Sequence, residues 1–347
     1  MLTKIIKSLT EFDIEYKPAV IFCVILIGLY TGISSLEFLN SHEDCENFGY
    51  DFLPIGYCGD YGIRLNLLNE MQWNFDNIFE NIRHPFSLGL VKLSYDITGD
   101  YRTFSLVSSV LLLFLVFFIT RIVSKVNYIS LLAVGLVISS PIFYRYDVIL
   151  TYPNFWVTAI LGSIYFGLRN SSASIVLFIL SIPLKALTIL FSPALIFFFK
   201  YSDVKRNTKI SMYFICIAVV GIMIISYFFS DTVKGYLNFE FDPIDFLWWL
   251  GMWTVELQHD RFALILVMLS IMSLYLIRKV PYVKSILCLI LFTLIQPAII
   301  AGFTGFTNEE YRMLPLVIFA SIGFCLMLVN SDKLIYEMQR FNAMFQK

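Results

Sequence analysis

Charge is what this chain has least of. Only 15% of its 347 residues are Asp, Glu, Lys or Arg, and 26 acids against 25 bases leave a net charge of -1. Nothing in that balance points to nucleic acid as a partner. The short signatures of soluble catalysis are missing too. There is no P-loop or GxGxxG run for a nucleotide, no HExxH or CxxC pattern, and no GxSxG. The sequence therefore makes no case for a metalloprotease or a serine hydrolase. Cysteine is sparse and scattered. Cys23, Cys216, Cys288 and Cys325 lie inside apolar runs as plain core residues, while Cys45 and Cys58 share one polar loop. If that loop faces an oxidising compartment, the two can form a disulfide that staples it.

What the chain has in abundance is oil: 58% hydrophobic and 17% aromatic residues, with a mean hydropathy of +0.76. Apolar runs fall at 18–38, 104–123, 128–146, 149–168, 172–184, 186–199, 210–230, 261–278, 283–304 and 312–330. Most are long enough to cross a hydrocarbon core of about 30 Å. This predicts an all-α polytopic membrane protein with about ten transmembrane helices in a single domain over 1–347. No small-residue cleavage site follows 18–38, so that run is expected to be a retained helix. The short runs 172–184 and 186–199 flank "SIPLKALT" and predict a pair broken near Pro183 and Lys185, or else one long kinked helix.

Charge sets the orientation. With the N-terminus in the cytosol and ten crossings, the inner segments hold 16 of the 25 bases and the outer ones 20 of the 26 acids. That bias fits the positive-inside rule with both termini cytoplasmic, and it favours the broken pair. Two outer loops are large, 39–103 with amphipathic helices and 230–261. Trp248, Trp249 and Trp253 in the second suit a helix at the membrane surface. The cytosolic loops leave no room for a nucleotide-binding domain, so any chemistry is expected outside.

Several ionisable residues stand out against this background. Asp60 opens "DYGIRLNLLNEMQW", whose Leu65, Leu68 and Met71 recur at helical spacing. It reads either as an N-cap or as a carboxylate held at the bundle mouth as a general base. In "SSPIFYRYDVILTYP", Arg145 and Asp147 sit among aromatics at membrane depth, where ionisable groups are costly and face the bundle interior or a wet cavity. They read as a structural ion pair, or as a second acid beside Asp60 and a cation for an anionic substrate. Lys185 is a lone cation inside an apolar pair, suited to a phosphate or to interfacial anchoring. Arg312 begins the last span at the same level, and Arg83 and His84 close the opening loop there. A cationic cluster around two carboxylates suits a lipid with a phosphate headgroup. No cofactor is expected; a carboxylate pair can hold a divalent cation, but no metal-ligand spacing supports one.

The order of these pieces resembles the GT-C superfamily of membrane glycosyltransferases, which use polyprenyl-phosphate sugars. The carrying stretches are "GDYGIRLNLLNE", "RHPFSLGL", "TGDYR", "SSPIFYRYDVILTYP", "IPLKALTILFSPALIFFF" and "YRMLPLVIF". Within it, "GDYGIR" and "YRYDVILTYP" look most like the Gtr-type O-antigen glucosyltransferases. The resemblance implies a membrane transferase moving a hexose, such as glucose, from undecaprenyl phosphate to a periplasmic lipid-linked or surface glycan such as O-antigen of lipopolysaccharide, at the cell inner membrane. It implies Asp60 and Asp147 as catalytic acids, and Arg64, His84, Arg145, Lys185 and Arg312 as substrate-binding residues. A glycan polymerase and a lipid-linked-sugar flippase or transporter are the rival readings. The first would want arginine-rich outer loops, the second polar residues through the full bundle depth.

Overall fold

Runs of about 20 apolar residues leave the backbone no solvent to bond, so its polar groups must pair within the segment, and a helix does that. The computed structural model describes residues 13–40, 85–146, 154–229, 241–257, 260–304 and 310–345. Among them every regular element is helical and there is no strand. In chain order they are α1 (Tyr16–Asn40), α2 (Pro85–Thr98), α3 (Thr103–Ser124), α4 (Asn127–Ile138), α5 (Pro141–Tyr146), α6 (Phe155–Leu168), α7 (Ala173–Leu184), a 3₁₀ turn (Ala186–Phe191), α8 (Ser192–Tyr201) and α9 (Arg206–Phe229). There follow α10 (Pro243–Glu256), α11 (Arg261–Leu276), α12 (Val283–Thr304), a second 3₁₀ turn (Glu310–Met313), α13 (Leu314–Val329) and α14 (Ser331–Phe345).

The chain shuttles between two ends of the bundle. At one end Asn127 donates to Asp13 and to the Ile14 carbonyl, Arg121 lies over the Tyr16 ring, and the Lys205 amide donates to Asn170 Oδ1. Ser202 meets Ser285 there as well. At the other end Ser87 donates to the Leu184 carbonyl, Ser140 to Asp260, and the Asp242 amide to the Gly302 carbonyl. The Asn170–Lys205 contact decides between the two readings of 172–199. That segment leaves the Asn127 end and returns to it, so it is a broken pair and not one long helix.

The pole of the bundle is α13, which packs against α3, α4, α11 and α12. It is buried all round from Leu314 to Gly323, as an apolar helix without a polar face must be. By contrast α1, α9 and α11 turn Phe22, Leu29, Phe214, Ile217, Phe262 and Met272 outward. An apolar belt of that extent marks a lipid-facing surface.

Four helical stretches are long and apolar enough to cross a membrane: Tyr16–Ser35, Thr103–Ser124, Arg206–Ile225 and Val283–Phe303. A fifth is reached if α13 and α14, bent by 79° at their junction, count as one. The other apolar runs form shorter helices, so the described residues give a helical membrane protein with four to five full-length spans where ten were expected. The shortening has identifiable causes. The run 128–146 is split because Pro141 has no amide to offer and its ring clashes with the carbonyl four residues back. Ser140 instead starts a new helix, its carbonyl accepting from Tyr144. The pair 172–199 is split at Lys185, whose backbone is extended. The helix expected from Asp60 onward, and Cys45 and Cys58, lie outside the described residues.

Candidate functional site at the Lys185 end

The break at Lys185 is built from both sides. Pro183 lies in the last turn of α7, and the extended Lys185 backbone directs its carbonyl to the amide and hydroxyl of Thr188, at 2.9 and 2.8 Å. The side chain does not reach the surface. Lys185 is 3% exposed, and its ammonium stands 5.0 Å from the centroid of the Trp156 ring. That ring in turn packs on Phe191, the last residue of the 3₁₀ turn. A cation this deep loses its hydration, and an indole face returns part of the cost.

A second piece of the pattern is brought to the same place. Ser87, three residues after His84, donates to the Leu184 carbonyl at 2.7 Å. Leu88 and Val91 of α2 pack with Phe155 and Leu184 in a small cluster of their own. The segment that follows His84 is thus bonded, through Ser87, to the residue preceding Lys185. The stretch "TGDYR" forms the turn from α2 into α3. Gly99 takes φ +78°, a conformation open to glycine, and Asp100 accepts from the Arg102 amide at 2.8 Å.

Between α3 and α6 lies a buried polar seam. Asn154, 1% exposed, donates from Nδ2 to Ser109 Oγ at 2.6 Å, and Ser108 pairs with Thr158 at 2.8 Å. Asn154 Oδ1 and Ser105 Oγ are sealed from solvent and have no hydrogen-bond partner among the described residues. Asn154 begins the helix that carries Trp156, so the seam adjoins the Lys185 site.

Arg145 and Arg312 sit on neighbouring elements. The short helix α5, which bears Arg145, packs against the 3₁₀ turn bearing the partly buried Arg312. The Lys185 and Arg312 turns both pack on α12. Asp260, which fastens this corner, was not among the expected site residues. It is 1% exposed, caps α11 by accepting from the Ala263 amide at 2.8 Å, and accepts from Ser140 at the start of α5. Its signal was available: an acid immediately before an apolar run is an N-cap pattern. The helix expected in the second outer loop is α10. It packs against α12 and leaves Trp248 exposed.

No protein-family model, curated protein or solved structure matches this chain. The site therefore stands on its own geometry. The structure draws together Lys185, the start of α2 and the seam around Asn154, with the Arg145 and Arg312 elements at the same end. Asp60, Arg64, His84 and Asp147 lie outside the described residues, as does the Arg145 side chain. No group of three or more His, Cys, Asp or Glu that could hold a metal occurs among the described residues.

Proposed function

We propose that the chain is an inverting glycosyltransferase of the GT-C type, transferring a hexose from a polyprenyl phosphate to a lipid-linked or surface glycan. In this reading it crosses the inner membrane ten times with both termini in the cytosol, and the Lys185 end faces the periplasm. The observation that carries the reading is the buried Lys185 ammonium at a broken helix, held by Ser87 to the element that follows His84. Ionisable groups at membrane depth are costly and mark substrate sites.

The chemistry asks for two things. Asp60 takes the proton of the acceptor hydroxyl as its oxygen bonds to the anomeric carbon. The bond from that carbon to the lipid phosphate oxygen breaks, and the lipid leaves as its phosphate. Lys185 and Arg312 meet the charge that develops there, Arg64, His84 and Arg145 hold substrate, and Asp147 is the second acid. The test is transfer of labelled hexose from a polyprenyl-phosphate donor by the purified chain in lipid. Asp60→Asn is expected to lower the rate by roughly 10²-fold or more, and Lys185→Met by a comparable factor. Absence of transfer by the wild type from any such donor sinks the reading. Full activity in Asp60→Asn removes that residue from the mechanism.

A further inference from the structure

At the end of the bundle opposite Lys185, lysines from two helices stand over one aromatic ring, and a lysine of a third helix bonds beside them. Lys200, in the last turn of α8, stands 5.5 Å from the Tyr201 centroid, and Lys284, in the first turn of α12, stands 5.4 Å from the same point. The two ammonium groups are therefore at most about 11 Å apart, close to the Debye length of about 10 Å at 0.1 M salt. Lys209, in the first turn of α9, donates to the Lys200 carbonyl at 3.3 Å. None of the three is in an ion pair among the described residues. The loops 199–209 and 277–284 add Lys205, Arg206, Arg278 and Lys279, against a single acid, Asp203. Like charges gathered on one ring repel one another unless an anion comes between them.

The surface next to these cations is apolar. Phe197, one turn before Lys200, stacks on Phe292 of α12 at 5.4 Å. Leu291 lies two turns along from Lys284 and is exposed, as are Ile210 and Phe214 on α9. A cationic rim above an exposed apolar wall matches a lipid with a phosphate headgroup: the phosphate takes several donors, and the chains lie along the helices. We infer that Lys200, Lys209 and Lys284 form a binding site for the phosphate of an anionic phospholipid in the leaflet at the Asn127 end. The site is independent of the transferase reading, and a failed transfer assay leaves it untouched.

The purified full-length chain in neutral detergent is titrated with phosphatidylglycerol, with phosphatidylcholine and with inorganic phosphate, and bound ligand is read by native mass spectrometry. Preferential retention of phosphatidylglycerol is expected. The double variant Lys200→Gln/Lys284→Gln should bind it roughly thirtyfold more weakly, at about 1 kcal/mol per lysine. Lys333→Gln, an exposed lysine on α14, should leave it unchanged. Retention of inorganic phosphate without lipid preference, lost in the double variant, keeps a phosphate site and assigns it to a soluble ligand. Equal retention of the two lipids by the wild type with no phosphate bound, or equal binding by wild type and double variant, overturns the proposal.

Discussion

A buried charge shows in a sequence only when it has no company. Lys185 was legible because it is a single cation between two apolar runs. Its burial and its indole partner were not, since Trp156 lies far away in sequence. The same limit hid Asn154, whose partner Ser109 lies 45 residues back. Asp260 was hidden differently, because "HDRFALIL" looks like the ordinary end of an outer loop. Its geometry makes a stability statement. Asp260→Ala removes an N-cap and leaves the buried Ser140 hydroxyl without its acceptor, a loss of about 2–4 kcal/mol. Asp260→Asn keeps an acceptor for the Ala263 amide and offers Ser140 a new partner, so it should cost much less. Thermal unfolding in detergent is expected to rank wild type above Asn and Asn well above Ala. Equal melting points for the two variants would deny Asp260 its double role.

The elements themselves were legible wherever apolar periodicity ran unbroken, as in α1, α3, α9 and α12. Breaks were harder to foresee. That at Lys185 was foreseen because a proline and a charge stand together at the middle of 172–199, whereas Arg145 lies at the far end of 128–146. That at Ser140–Pro141 was missed, because short polar residues flanked by oil look like part of one span. Packing between elements was not legible at all, and the α6–α7 hairpin shows why. Gly162 and Gly167 let the two helices approach, in the way small residues serve membrane bundles. A Cβ on Gly167 would run into the buried ring of Phe199 and come within 2.9 Å of Ser174 Oγ. A Cβ on Gly162 would meet only the tip of the partly exposed Leu177, at 2.9 Å. Gly167→Ala should therefore destabilise by about 1–3 kcal/mol. For Gly162→Ala the gain in helix propensity, up to about 1 kcal/mol, offsets the contact and leaves the change near neutral. Melting curves of the two variants that coincide would contradict this account of the hairpin.

At the scale of the whole molecule, charge in the sequence and hydrogen bonds in the fold describe one pattern. The loops joined to one another around Asn127, Asn170 and Lys205 are those that carry the basic excess. The loops gathered around Leu184, Asp260 and Gly302 hold the turns bearing Lys185, Arg145 and Arg312. Among the described residues four stretches are long enough to cross unaided, or five if α13 and α14 count as one. A shorter helix can still lie within the membrane where protein satisfies its ends, as Thr188 and Ser87 do at the Lys185 break. The decisive check uses single cysteines in a chain whose native cysteines are replaced by serine, in intact cells treated with a membrane-impermeant thiol reagent. Cysteines at Lys125, Asn170, Lys205 and Lys279 should react only after the membrane is opened. A cysteine at Asp100 should react at once. The sharpest pair is Asn170 and Lys205, because their side-by-side placement requires 172–199 to return to the side it left. Opposite labelling of those two positions would break the alternation, move every later loop to the other side, and part Arg312 from Lys185.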